Sequence, residues 1–197
     1  MHPNALYHVY NRGNNRQTIF YSRENYLFFL RKMRTHLLPV CDFLAYCLMP
    51  NHFHFLVKTD ERTIAQVAQS NREIAVTAFS RGLKTMLSSY AQAIQRQEQL
   101  TGSLFQQKTK RKQVSSALMQ EDYTLTCFRY ILQNPLRANL VSHLEDWEFS
   151  SYLDLVGKRN GSLCNTALIH KELALDWTKL QDSIGMPVKQ EEVKKIW

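Results

Sequence analysis

The order of apolar and polar positions divides the first sixty residues into short strands and one amphipathic helix. ALYHVYNR (5–12) is rich in aromatic and β-branched residues and runs into Gly13-Asn14-Asn15, which predicts a strand closed by a turn. Ser22 is a candidate cap for the helix that follows. Tyr26, Phe29, Leu30, Met33 and Leu37 then recur at i, i+3, i+4, i+7 and i+11, the spacing of one helical face, until Pro39 stops it. CDFLAYCLM (41–49) and His52–Lys58 predict two further strands, and Pro50-Asn51 between them predicts a tight antiparallel hairpin.

Helical spacing resumes through Ile64, Val67, Ala68, Asn71, Ile74, Ala75, Ala78 and Phe79. After Gly82 a second run follows through Leu83, Met86, Leu87, Tyr90, Ala91 and Ile94, so a long helical region is expected. Gly102 ends it, and SLFQQKTKRKQV (103–114) predicts a fourth strand. A further helix is expected from about Ala117 to Gln133, stopped by Asn134-Pro135. Residues 145–157 and the charged C-terminus have weaker periodicity. The order β-α-β-β-α-β-α predicts an α+β fold, an antiparallel β-sheet with helices packed on it.

Composition narrows the class. The chain has 197 residues, 44% hydrophobic and 21% charged, enough for one sizeable core with a small appended element. It lacks an apolar run long enough to span a bilayer and a signal-like N-terminus, so a cytoplasmic protein is expected. The four cysteines form no CxxC pair and are expected to be reduced, buried thiols. Charge is unevenly placed. Residues 1–120 carry 16 Lys/Arg against 6 Asp/Glu, whereas residues 121–197 carry 9 against 11. An excess of positive charge confined to the first three-fifths points to a polyanion there, and nucleic acid is the commonest one.

Candidate chemistry begins at LMPNHFHFLV (48–57). An imidazole buried without a partner costs about 1–3 kcal/mol, yet His52 and His54 stand among Phe53, Phe55, Leu56 and Val57. On a strand, i and i+2 share a face, so the two rings project together. Either each has its own hydrogen-bond partner or they share a metal ligand, with a third donor from elsewhere. A histidine-triad hydrolase would want histidine at Leu56, and a cupin-type site would want glutamate at Lys58 or Thr59; both readings fail.

In FRYILQNPLRANLV (128–141), Tyr130 and Asn134 lie one helical turn apart. They read either as a nucleophile beside a metal-ligating carboxamide or as a core tyrosine before an Asn-Pro stop. Lys108, Lys110 and Lys112 alternate along the predicted fourth strand with Arg111 on its other face, a row of ammonium groups suited to a phosphate backbone. Phe105 and Tyr90 are candidate stacking surfaces or core. The loop YNRGNNR, with Arg12 and Arg16 around Gly13, is a second candidate for phosphate or base contacts.

Together these stretches resemble the single-tyrosine HUH transposases, in particular the REP-associated tyrosine transposases. The matching pieces, in the family's order, are YHVYNRGNN, LMPNHFHFLV, GSLFQQKTKRK, RYILQNPLRANLV and DWEFSSYLDLVG, roughly residues 5 to 157. The resemblance implies a ferredoxin-like, RRM-like HUH core in residues 1–157 and a C-terminal extension of unassigned role in 158–197. It implies a divalent cation, Mg²⁺ or Mn²⁺, held by His52, His54 and Asn134. Imidazole suits manganese better than magnesium, so Mn²⁺ is expected to support the stronger activity. Tyr130 matches the nucleophile and Tyr123, without an asparagine four residues on, ranks second. Arg12 and Gly13 match a loop associated with DNA recognition.

The implied reaction is cleavage of single-stranded DNA at hairpin-containing sites through a 5′-phosphotyrosine, with strand transfer in DNA transposition and recombination, by a protein expected to be monomeric rather than homodimeric. Two alternatives stay open: a binding module that recognises hairpins without cutting them, and a replication-initiator-like nickase. The compact length and lack of a GxxxxGK[ST] helicase motif weigh against the latter.

Overall fold

The computed structural model describes residues 1–69, 72–114, 122–173 and 180–196. Its centre is an antiparallel sheet built from β1 (Leu6–Arg12), β2 (Asp42–Met49), β3 (His52–Lys58) and β6 (Lys110–Gln113), ordered β2-β3-β1-β6. β2 and β3 form the hairpin expected around Pro50-Asn51, and β1 then pairs with β3 from Leu6↔Lys58 to Arg12↔His52. Between β1 and β2 runs α1 (Arg23–His36), and between β3 and β6 runs α3 (Ala78–Gln97). This is the α+β architecture the sequence predicts, with the strand order of a ferredoxin-like core.

One face of the sheet is a dense aromatic core. Val9, Phe43, Phe53, Phe55 and Val57 meet Phe29 and Met33 of α1 and Phe79, Leu83, Met86, Tyr90 and Ile94 of α3. Tyr90 satisfies its hydroxyl by donating to the Ile19 carbonyl at 2.6 Å. Gly82 sits where α3 crosses α1: a Cβ there would collide with the His36 carbonyl. The glycine is therefore a point of close approach inside one continuous helix.

The other face carries α4 (Asp122–Arg137) and the C-terminal elements. Leu6, Ala45, Cys47, Met49 and Leu56 pack against Cys127, Phe128, Ile131 and Leu132 of α4. After the short α5 (Tyr152–Leu155) come α6 (Thr166–Leu173), α7 (Leu180–Gly185) and α8 (Gln190–Ile196), whose Ile169, Leu173, Ile184 and Ile196 join the same core together with Val188 from the connection between α7 and α8. Gln133 donates to the carbonyls of Ile184 and Met186, which fastens this segment to α4.

Three expectations change. The helical spacing of 64–79 is not one helix: Ile64 ends the single turn α2 (Glu61–Ile64) and Ala78 and Phe79 open α3, but the stretch between them is extended. After α2 the chain forms a two-stranded hairpin, β4 (Gln66–Gln69) with β5 (Arg72–Thr77), in which Val67 faces Val76. The β-branched Ile74, Val76 and Thr77 favour extended backbone, and most of the alanines that completed the helical count stand exposed, with nothing to bury them. The fourth strand shortens to Lys110–Gln113. Residues 103–109 are instead a loop stitched to β1, through Asn11 to Gln106 and Thr109 and through Gln106 N–H to the Arg12 carbonyl.

Finally, α4 runs through Pro135 rather than stopping at it. Proline removes the N–H that would bond the Ile131 carbonyl, but Asn134 Nδ2 lies 3.4 Å from that oxygen and 2.9 Å from the Tyr130 carbonyl. The helix ends where Asn139 adopts φ 53°, the left-handed conformation that terminates helices. The start expected at Ala117 falls in 115–121, outside the described residues.

Candidate active site

Strand pairing assembles the site. His52 is opposite Arg12 and His54 opposite Tyr10 in the β1–β3 register, so these four side chains and His8, two residues before Tyr10, share the face covered by α4. The phenylalanines between them point to the aromatic core. The chain's alternation therefore puts imidazoles on one side and rings on the other, as the strand argument predicts.

His52 and His54 stand edge to face, ring centroids 5.0 Å apart. Asn51 orients the first. Its Nδ2 donates to the Arg16 carbonyl, leaving Oδ1 to accept from His52 Nδ1 at 2.6 Å. The lone pair of neutral His52 is then on Nε2. Asn134 also faces the His52 ring and favours its charged form. With Nδ2 of Asn134 committed to backbone carbonyls, it is the acceptor Oδ1 that meets the ring, so it can bond Nε2 only when that nitrogen carries a hydrogen. Tyr130 lies one turn earlier on α4, its ring edge-on to His54 at 5.5 Å and to His8 at 6.5 Å. The Arg137 guanidinium stands 5.9 Å from the Tyr130 ring, and its Nη1 donates to the Val188 carbonyl. Tyr130 itself is 3% exposed.

Burial dominates the electrostatics. It lowers His52 to about 4, against a raising hydrogen bond from Asn134 and with further lowering by the Arg12 charge. It pushes His54 well below the ordinary imidazole range, helped by the neighbouring His8 and His52, and holds His8 at about 3. Burial thus favours the uncharged form of all three rings. Two neutral imidazoles and a carboxamide oxygen are donors that suit a divalent cation with open positions for phosphate and water. Among the described residues no group of three or more His, Cys, Asp or Glu is placed to hold a metal.

The other predicted residues divide. Arg12 lies at the site beside His52. Gly13 is explained by its own turn, because a Cβ there would collide with the Gln17 carbonyl; its N–H donates to the Asn51 carbonyl. Arg16 is exposed in that turn at φ 60°. Lys110 and Lys112 pair with Tyr10 and His8, which puts them on the site face. Lys108 lies in the loop before the strand and is separated from that row. Arg111 faces the opposite side, donating to Ser80 Oγ at 2.9 Å and lying over the Phe79 ring. Phe105 and Tyr90 are core. Tyr123 meets the Lys112 ammonium at 5.7 Å, about 10 Å from Tyr130 along the helix, and its phenol is pushed up to about 12, first by burial.

Sequence reasoning missed His8. Its Nε2 lies 2.8 Å from His54 Nδ1, and both residues are fully buried. The signal was present in YHVYNR, where His8, Tyr10 and Arg12 alternate on one predicted strand face. Only the register with β3 reveals what that face meets.

No protein-family model matches the chain, and neither does any curated protein. Among solved structures it is similar to a REP-associated tyrosine transposase bound to a REP hairpin. The superposition has a TM-score of 0.55 over 83% of this chain and 90% of that one, at 14% identity. The two share a fold. At that identity the likeness speaks for the architecture alone, and the chemistry has to be argued from the residues. Among the described residues no helix is long and apolar enough to cross a membrane.

Proposed function

We propose that this chain is a metal-dependent single-stranded DNA endonuclease and strand transferase, a transposase-type enzyme acting as a monomer on hairpin-containing DNA. One observation carries the reading. A single helix sets Tyr130 against His54 and, one turn later, Asn134 against His52, in a fold shared with a tyrosine transposase solved with a hairpin.

Tyr130 Oη attacks a backbone phosphorus. The new O–P bond forms as the bond from phosphorus to the 3′ oxygen breaks, leaving a 5′-phosphotyrosine and, after proton transfer from phenol to leaving group, a 3′-hydroxyl. The link preserves a phosphoester, so a second 3′-hydroxyl can reverse the attack and join strands without ATP. A divalent cation, Mg²⁺ or Mn²⁺, held by His52, His54 and Asn134 would supply the positive charge that lets a nucleophile approach an anionic diester. Burial keeps the two imidazoles neutral and therefore able to ligate. Arg12, beside His52, is placed to hold a phosphate, and Lys110 and Lys112 extend the cationic path along β6.

The burial of Tyr130 favours the competing reading, a hairpin-recognition module, because the groups packed on the ring must part before a phosphate reaches it. One experiment separates the two. Single-stranded hairpins from DNA flanking the gene are incubated with protein and Mg²⁺ or Mn²⁺, alongside Tyr130→Phe and His52→Ala, and resolved on a denaturing gel. We expect a covalent protein–DNA adduct with the parent chain, stronger in Mn²⁺ and absent from both variants. Tight hairpin binding with no adduct in either metal would replace the nuclease by the recognition module.

A further inference from the structure

On the side of the sheet away from His52 and His54, a groove of about 650 Å³ opens between α3 and the loop 103–109. That volume is typical of a site for a small organic ligand. Lys84, Leu87, Ser88, Ala91 and Gln95 recur at i, i+3, i+4, i+7 and i+11 along α3 and form one wall. The loop forms the other, and it is tied down. Gln17 Nε2 donates to the Ser103 and Leu104 carbonyls, and Asn11 Nδ2 donates to the Gln106 carbonyl and Thr109 Oγ1. Both walls are therefore formed before any ligand arrives.

The lining combines two chemistries. Leu83, Leu87, Leu104 and Phe105 make an apolar floor. Lys84, Lys108 and Arg111 stand around it, and among the described residues none of the lining side chains is acidic. None of the three cations forms an ion pair among the described residues. Arg111 gives Nη1 to Ser80 Oγ at the N-terminal end of α3, while Lys84 and Lys108 are exposed. Ser88 and Gln107 add groups that both donate and accept, which suits the edge of a base. An apolar slot ringed by cations and such groups fits an aromatic ring joined to a phosphate, which is a nucleotide. Position narrows the source. β6 is the outermost strand, with Lys110 and Lys112 on the site face and Arg111 on the groove face, so positive charge continues from the site around that edge into the groove. A duplex keeps its bases stacked inside; an unpaired strand can lay one on the floor.

We propose that this groove is a second nucleic-acid site, which seats unpaired nucleotides of a DNA strand that has passed around the β6 edge. That the strand is the enzyme's own substrate rests on the reading above, whereas the groove's affinity for unpaired nucleotides does not.

The test uses the full chain in EDTA, so that cleavage does not enter the readout. Fluorescence anisotropy compares a blunt hairpin, the same hairpin with an unpaired thymidine tail, and that hairpin with an abasic tail of equal length. We expect the thymidine tail to tighten binding about fivefold or more, the worth of one seated base, and the abasic tail to add much less. Ser88→Glu should abolish the gain, and Lys84→Gln should lower the salt slope of the tailed hairpin by about 0.7, one phosphate contact. Both positions are exposed, so neither change threatens the fold, and neither should alter binding of the blunt hairpin. A tail carrying 4-thiothymidine should photocrosslink to α3 or to the loop 103–109. A tail that adds nothing, an abasic tail as good as thymidine, a gain that survives Ser88→Glu, or crosslinks confined to α4 would each overturn the proposal. Displacement of the tail by polyglutamate as readily as by oligothymidine would put an acidic protein segment in the groove instead. A tail-dependent gain in a chain that forms no covalent adduct with Mg²⁺ or Mn²⁺ would keep the groove and remove the nuclease, and an adduct without that gain would do the reverse.

Discussion

Two imidazoles, His8 and His54, are fully buried and His52 is half-buried beside them, and that changes how the molecule responds to acid. In the unfolded chain each titrates near 6.5, whereas folding lowers His52 to about 4 and His8 to about 3, with His54 also well below its ordinary range. Below pH 6.5 the unfolded state therefore binds protons that the folded state refuses, and stability falls as pH falls. The expected outcome for chelator-treated protein is a urea midpoint level above pH 7 that declines steadily from pH 6.5 toward pH 4. A midpoint unchanged between pH 7.5 and pH 5 would mean the rings are not held neutral. At this scale the sequence is informative about residue type and spacing: HFH and the Tyr-Asn pair identify which groups to examine. It is silent on His8, because the partner that makes it matter is 46 residues away.

Elements were legible where local signals agreed and misread where only periodicity spoke. β1, α1, β2 and β3 each combine a pattern with a turn, a cap or a proline, and all are found within about two residues of expectation. The stretch 64–79 had helical spacing alone; its ends belong to α2 and α3, and between them β4 and β5 pair as strands instead. At Pro135 the local rule itself was overridden, because the asparagine side chain beside it lies on the carbonyl that proline leaves unbonded. Gly82 gives a test in which propensity and packing oppose each other. Glycine to alanine inside a helix should stabilise by about 1 kcal/mol, yet a Cβ at this position meets the α1 backbone at His36. We expect Gly82→Ala to lose roughly 1–3 kcal/mol in urea denaturation because α1 and α3 must separate. A gain in stability would show that the crossing is loose.

For the molecule as a whole, the sheet separates two jobs. One face buries aromatic rings under α1 and α3, and the other carries the histidines under α4. The positive charge of residues 1–120 is likewise divided by strand parity. Lys110 and Lys112 stand on the site face, while Arg111 is bound to Ser80 and Phe79 behind it. Hairpin affinity measured by fluorescence anisotropy across salt concentrations should reflect this. Lys110→Gln is expected to weaken binding and lower the salt slope by about 1, whereas Arg111→Gln should leave the slope nearly unchanged; equal effects of both would contradict the division. The sequence by itself determined the α+β class, the shared projection of His52 and His54, the one-turn spacing of Tyr130 and Asn134, and the side of the chain on which positive charge collects, since each follows from local geometry and counting. Tertiary structure alone decided that α4 lies over the histidine face, that His8 meets His54, and that 66–77 is a hairpin, because those outcomes depend on which distant surface is available to cover each segment.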